Sequence, residues 1–446
     1  MRPGRAKNAR AFALDALKRV EKDQAYLDLL VENVLQKSSL KEADRRLFSE
    51  LAYGTVRHRR LLDFYIEQAL DRKISQTDLT TRNILRLGAY QLFFLDRIPA
   101  RAAVNETVEL SIKYARPLIN AVLRKLSDKK TELKKPDDLP DKISRLAIKY
   151  SHPDWMVERF LRQFNEEECE KFMEANNQRP ELCLRVNTTR TSREDLLEIF
   201  EKEQVAASRG KYSKFAVAVE DHIFPGRLPG YQQGLFAVQD QASQLVVVML
   251  SPEPGDIILD ACAAPGTKSL EIFQLMQKNG KLVAADVSEE RLKLVKNEAE
   301  RLGLEGFEIL CRDLTAPLSP ELQFDKILLD APCSGLGTLR RHPEIKWQRT
   351  EADIQALSQL QKRLIKNLAQ YVKPGGVLVY STCTVTPEEN QEVVSTLLET
   401  GEFEQQDPLP FLPDSVQPLI CNKMLQTFPH RHNTDGFTAF RLRRMK

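Results

Sequence analysis

The sequence predicts a parallel α/β domain over residues 236–446, reached through a small α+β module at 145–235 and an all-α domain at 1–135. Three observations carry this. From about residue 236, apolar strand-length runs alternate with helix-length amphipathic segments, the pattern of a parallel sheet. Residues 1–130 show only helical periodicity. Between front and rest lies DKKTELKKPDDLPDK (128–142), charged, proline-containing and without periodicity, which marks a linker.

In the front domain, Phe12, Ala13, Ala16, Leu17 and Val20 fall on one helical face. Leu47, Leu51, Leu61, Leu62, Tyr65 and Ile66 predict a long helix or a broken pair. LRLGAYQLFFL (85–95) is apolar nearly all round, as a buried central helix would be. Asp96 to Pro99 breaks it, and Pro99 suits the start of the next helix. LINAVLRKL (118–126) closes the bundle. In the middle module, MVERFLRQF (156–164) and REDLLEIFEKE (193–203) read as helices, LCLRVN (182–187) and FAVAVE (215–220) as strands. The parallel strands are DIILDA (256–261), KLVAADV (281–287), FEILCRD (307–313), FDKILLDAP (324–332) and GGVLVYSTC (375–383). EERLKLVKNEAERLG (289–303) supplies one intervening helix, and FTAFRLRR (437–444) reads as a last, antiparallel edge strand.

At 42% hydrophobic and 29% charged residues, the composition is that of a folded chain, which excludes a disordered one. No apolar run approaches the roughly 20 residues of a membrane helix, and VVVML (246–250) is the nearest. The basic start, MRPGRAKNARAF, lacks the apolar stretch of a signal peptide. Seven sparse cysteines predict reduced thiols in the cytoplasm. Residues 1–136 hold 28 Lys and Arg against 17 Asp and Glu, a net of +11, whereas the remainder is at −8. That asymmetry predicts either an anionic partner on the front domain or a set of solvated helix charges.

The first parallel strand runs into DACAAPGTKS (260–269), a small-residue loop entering a helix, where a ligand can approach backbone and helix amides. Thr267 after Gly266 excludes a Walker A loop, and GxGxxG is absent. Asp286, Asp313 and Asp330 end the second, third and fourth strands, the edge where ligands of open α/β sheets bind. An acid after the second strand can accept hydrogen bonds from ribose hydroxyls. Cys333 and Cys383 follow the fourth and fifth strands, so adjacent strand ends bring both over one cleft. Either is a candidate nucleophile or a buried small hydrophobe. No CxxC or Cys/His pair has the spacing of a zinc site, so no metal is expected.

DACAAPGTKS, DAPCSGLGT (330–338) and YSTCT (380–384), in that order on five strands, resemble the RNA 5-methylcytosine methyltransferases. LRLGAYQLFFLDRIPARAAVNETVEL (85–110) and LINAVLR (118–124) resemble a NusB-like RNA-binding domain. YSHPDWMVERF (150–160), LRVNTTR (184–190), GLFAVQDQASQL (234–245) and PHRHNTDGF (429–437) extend the likeness to bacterial small-subunit ribosomal RNA methyltransferases over nearly the whole chain. The resemblance implies a Rossmann-like class I methyltransferase domain using S-adenosylmethionine. It implies a cofactor loop of Cys262, Ala263, Ala264, Pro265, Gly266, Thr267 and Lys268. Asp286 would bind the ribose, Asp313 would lie by the adenine, and Asp330 would complete the site near the target base. The loop departs from the family at Thr267, where a second glycine is usual; we expect the loop not to need it.

Cytosine carbon 5 is a poor nucleophile, so the expected chemistry is addition of the Cys383 thiolate to carbon 6. Asp330 supports the ring, Cys333 assists release, and Lys268 is read as helping to orient the base. The target must be single-stranded or flipped out. Two rivals stay open at this point. One is an RNA-binding protein with a vestigial enzyme domain, which the intact motifs oppose. The other is a DNA cytosine methyltransferase, which would use Cys333 as nucleophile. The expected protein is a cytoplasmic monomer acting on 16S ribosomal RNA, without membrane or metal.

Overall fold

Helical periodicity in the front becomes ten helices among the described residues, beginning with Ala9–Asp23 and ending with Glu166–Asn177. The long-or-broken helix is a pair, Glu42–Arg57 and Arg59–Glu67, parted at His58. The central helix is Leu79–Phe94, buried from Ile84 to Gln91. Asp78 caps it by accepting the amides of Thr80 and Thr81 at 3.0 Å. Its buried Arg86 is satisfied by both oxygens of Asp63 (2.7 and 2.8 Å) and by Glu21 at 2.9 Å. Pro99 is the residue before the next helix, Ala100–Val108.

The structure, a computed structural model, describes residues 8–220 and 224–445; residues 1–7 of the front domain and 221–223 of the middle module lie outside them. Two compact units emerge. The first runs up to Arg179 and takes in a distant segment, Leu339–Arg349. That segment is seated among the helices: Trp347 Nε1 donates to Val56 O at 2.8 Å, and Lys346 Nζ to Arg57 O at 2.7 Å and Asn177 Oδ1 at 2.9 Å. The second unit comprises Pro180–Thr338 and the chain from Thr350 onward. The stretch 145–235 is therefore shared, its first helices falling in one unit and its strands in the other.

The second unit holds two sheets. The smaller is antiparallel and built from β1 Leu182–Val186, β2 Ala207–Arg209, β3 Ala216–Val219 and β4 Phe236–Val238, in the order β2-β3-β1-β4. β4 lies just past residue 235, yet Phe236 pairs with Val186, so this strand belongs to the small sheet. The larger sheet has the five parallel strands β5 Ile257–Ala261, β6 Lys281–Asp286, β7 Glu308–Cys311, β8 Phe324–Asp330 and β9 Val372–Thr382. Its edge continues through the antiparallel strands β10 Phe403–Gln406, β11 Ile420–Cys421, β12 Met424–Gln426 and β13 Thr438–Arg444. β13 is the predicted last strand, but it pairs with β9 on one side and with β10 and β12 on the other, so it is not an edge. Strand order β7-β6-β5-β8-β9 places the reversal of winding between β5 and β8. Apolar layers cover both faces of this sheet. No described helix is long and apolar enough to cross a membrane.

Candidate active site

Where winding reverses, the loops after β5 and β8 leave in opposite directions and open a crevice at the carboxyl edge. The β5 loop turns through Cys262 (φ 62°) and Gly266 (φ 107°), and the helix Thr267–Leu275 begins immediately after. Gly266 has two reasons to be glycine: its backbone conformation, and Val295, whose Cγ1 lies 2.9 Å from where a Cβ would sit. Thr267 is already the first helical residue and is not among the positive-φ positions. A second glycine is thus not required by backbone geometry, as expected.

Asp286 is 3% exposed. Its Oδ2 accepts the Ala264 amide at 3.2 Å and its Oδ1 the Ser288 amide at 3.0 Å, with Arg291 3.7 Å away. It pins the loop tip to the end of β6, and each oxygen keeps a further lone pair for hydroxyl donors. Asp313 lies two residues beyond β7, exposed, with its Oδ1 taken by the amide and hydroxyl of Thr315 at 2.8 and 2.7 Å. Those hydrogen bonds hold its carboxyl below the usual range.

Across the crevice, Lys268 Nζ donates to Asp330 Oδ2 at 2.6 Å, and Ser381 Oγ to Asp330 Oδ1 at 2.7 Å. Burial opposes the charge on Lys268, but Asp330, then Cys383 and Asp260, outweigh it and raise the amine's proton affinity. The Lys268 ammonium also stands 5.3 Å from the centre of the Phe437 ring. Beside this pair the sulfurs of Cys333 and Cys383 are 3.1 Å apart, both partly buried. The bond to Cys383 first, then burial, pushes the Cys333 thiol well above its ordinary value. Lys268, Asp330, Cys333 and Cys383 therefore share one crevice, with the 262–266 loop and Asp286 on the neighbouring strand ends.

Several residues escaped the sequence reading. Asp260 is wholly buried near the end of β5, accepts the Ser269 hydroxyl at 2.5 Å, and has its carboxyl pushed by burial up to about 7. Its Oδ1 has no hydrogen-bond partner among the described residues. The signal was available: an acid inside the apolar run DIILDA. Arg185, on β1 of the small sheet, donates to Thr267 O at 2.6 Å and to Gln239, and lies 3.5 Å from Glu271. This buried cluster fastens the small sheet to the helix that starts at the loop. The loop's alanines, the free lone pairs of Asp286 and the orphaned Asp260 oxygen suit a nucleoside carrying ribose hydroxyls, so the site fits S-adenosylmethionine.

Comparison with known proteins gives the family. Residues 247–443 match the family described as 16S rRNA methyltransferase RsmB/F, residues 7–128 the NusB family, and residues 152–223 an RsmF/B-like methyltransferase ferredoxin-like domain. The chain is 37% identical over 446 residues to "Probable ribosomal RNA small subunit methyltransferase B" of Synechocystis sp., covering 98% of this chain and 99% of that one. It is 36% identical over 453 residues to ribosomal RNA small subunit methyltransferase B of Serratia proteamaculans, with 98% and 99% covered. The crystal structure of PH0851 superposes with a TM-score of 0.82 at 26% identity, covering 99% of this chain and 100% of its own.

Proposed function

Because the chain belongs to the S-adenosylmethionine-dependent family of ribosomal RNA small subunit methyltransferase B, we propose that it methylates carbon 5 of a specific cytidine in 16S ribosomal RNA, with Cys383 as covalent nucleophile. The observation that carries this reading is the thiol pair, 3.1 Å apart and beside the Lys268–Asp330 ion pair. When bound, S-adenosylmethionine supplies an electrophilic sulfonium methyl. The 262–268 loop and Asp286 hold it, Asp286 through the ribose, with Asp313 toward the adenine. The Cys383 thiolate forms a bond to carbon 6, and the carbon 5–carbon 6 electron pair moves to carbon 5, which becomes nucleophilic. Asp330, clamped by Lys268 and Ser381, is fixed to accept a hydrogen bond from the polar edge of the ring, and the Lys268 ammonium beside it favours the negative charge that thiolate addition sends into the ring. Lys268 keeps Asp330 in place and orients the base. A base then takes the carbon 5 proton, the electrons of that bond re-form the carbon 5–carbon 6 double bond, the Cys383 sulfur leaves carbon 6 with its own pair, and Cys333 assists that release.

In this reading the protein works in the cytoplasm as a monomer. Its working parts are the NusB-like RNA-holding segment 1–135, a linking module over 145–235 whose small sheet is completed by Phe236–Val238, and a catalytic domain within 236–446 that lends Leu339–Arg349 to the first unit. The cysteines give the test, because their losses fail differently. Cys383→Ala should abolish methylation and form no covalent link to RNA. Cys333→Ala should stall after attack, so that RNA stays bound to Cys383 through denaturing electrophoresis, and only with S-adenosylmethionine present. Trapping by Cys383→Ala instead would reverse the roles, and trapping by neither would remove the covalent mechanism.

A further inference from the structure

Both cysteine loops hang on one buried carboxylate that has no part in the chemistry above. Glu389 is 0% exposed and lies in a short turn, Pro387–Glu389, six positions after Cys383. Its Oε1 accepts the Ser334 amide at 2.7 Å and Gln361 Nε2 at 3.1 Å. Its Oε2 accepts the Ser334 hydroxyl at 2.5 Å and the Thr386 hydroxyl at 2.8 Å. Ser334 follows Cys333 in the chain. Its only hydroxyl hydrogen goes to Glu389, so in the 2.8 Å contact with Thr384 it is Thr384, the residue after Cys383, that donates. The Gln361 amide reaches Pro332 O as well, at 2.8 Å, and the Tyr380 hydroxyl donates to Glu389 O at 2.6 Å. The residues flanking both cysteines are thus joined through a single side chain.

We propose that Glu389 is a positioning residue that fixes the Cys333 loop against the Cys383 loop and gives the two thiols different roles. The inference rests on the covalent reading above. All four of its donors are neutral, so its charge is satisfied but not cancelled. Glu389 and Asp330 both act to keep Cys333 protonated, adding to its bond with Cys383 and its burial. On the other side, Cys383 lies near the buried Lys268 and favours the charge of that ammonium. In the short sulfur contact the protonated Cys333 is thus placed as the donor, facing the sulfur that attacks in the reading above.

The test is alkylation by iodoacetamide of the full chain, free of RNA and cofactor, followed across pH by mass spectrometry at each cysteine. Cys383 should label at lower pH than Cys333. In Glu389→Gln, the Cys333 profile should move to lower pH and approach that of Cys383, and kcat should fall roughly tenfold to a hundredfold, with the KM for S-adenosylmethionine within about twofold. Glu389→Asp keeps the charge and should keep the labelling order even where kcat falls. Unchanged order and kcat in Glu389→Gln would overturn the proposal, as would loss of order in Glu389→Asp. Should Glu389→Gln fail to fold, Ser334→Ala removes the hydroxyl bridging Glu389 and Thr384; unaltered labelling and kcat there overturn it equally. Labelling needs no methyl transfer, so a failure of the cytosine reading leaves this result legible by itself.

Discussion

Replacing Gly266 by alanine tests the loop geometry on which cofactor binding rests. Gly266 sits at φ 107°, ψ −3°, outside the conformations an L residue prefers. Forcing alanine there costs about 1–3 kcal/mol. The new Cβ would also stand 2.9 Å from Val295 Cγ1 and 3.0 Å from Val295 Cα, in a fully buried position. Overpacking of that kind costs about 1–3 kcal/mol more. A loss of about 2–6 kcal/mol is large against the roughly 5–15 kcal/mol that stabilise a domain, so the loop and following helix should open locally. Both tryptophans, Trp155 and Trp347, belong to the first unit, so their fluorescence is a poor reporter of this loop. Hydrogen exchange on peptides spanning 257–275 reads it directly. Adding Val295→Ala should restore only part of the protection, because the Val295 Cα and the backbone conformation stay. The contrasting change is Thr267→Gly, which restores the usual family residue at the first turn of a helix. It should cost a few tenths of a kcal/mol at most and leave S-adenosylmethionine affinity within about twofold. A harmless Gly266→Ala, or a Thr267→Gly that tightens cofactor binding tenfold, would refute this account of the loop.

Asp286→Ala should weaken S-adenosylmethionine binding by roughly tenfold or more, since hydrogen bonds to an ionised acceptor are lost; unchanged affinity by calorimetry would remove the ribose assignment. Asp260 gives a pH signature. Its carboxyl lies at about 7 in the folded chain against 3.8 when free, so between those values the native state holds a proton that the unfolded chain has released. The stability tied to Asp260 is intact at the acid end of that window and is lost as pH rises through it. Asp260→Asn mimics the protonated acid, so its stability relative to the parent should climb from about pH 4 to 7 and then level, by urea titration. Glu271, also pushed by burial to about 7, cancels in that difference, and a flat difference would show that Asp260 does not titrate there.

The parallel strands were legible because each is a short apolar run with an acid or cysteine at or just past its end, and in a parallel sheet it is the carboxyl ends that meet the crevice. Asp286, Asp330 and the two cysteines follow from strand ends, once the winding order is known, and Lys268 from the first turn of the helix after β5. β10, β11 and β12 were not legible: at two to four residues each, they are specified by pairing with β13 and its neighbours and not by local pattern. Glu389 was invisible for a similar reason. TPEEN (386–390) reads as a solvated acidic turn, and only the fold brings Ser334 and Gln361 to its carboxylate. The start of β9 was hidden too. The strand begins at Val372, ahead of the predicted GGVLVYSTC, although Pro374 reads as a strand breaker. A bulge makes room for that proline: Val372 pairs with Phe324, and regular pairing with β8 resumes only at Val377 opposite Lys326.

The segment Leu339–Arg349 bears on how the molecule is made. A ribosome completes the helices up to Arg179 about 160 residues before Leu339 emerges, a delay of roughly 10–30 s at ordinary elongation rates. Throughout that interval the carbonyls of Val56 and Arg57 and the amide oxygen of Asn177 await the side chains that will occupy them, and the groove meant for Trp347 stands open. A gene cut anywhere between the two units therefore yields a front fragment that is never finished, and supplying residues 339–349 as a separate peptide is the direct way to complete it.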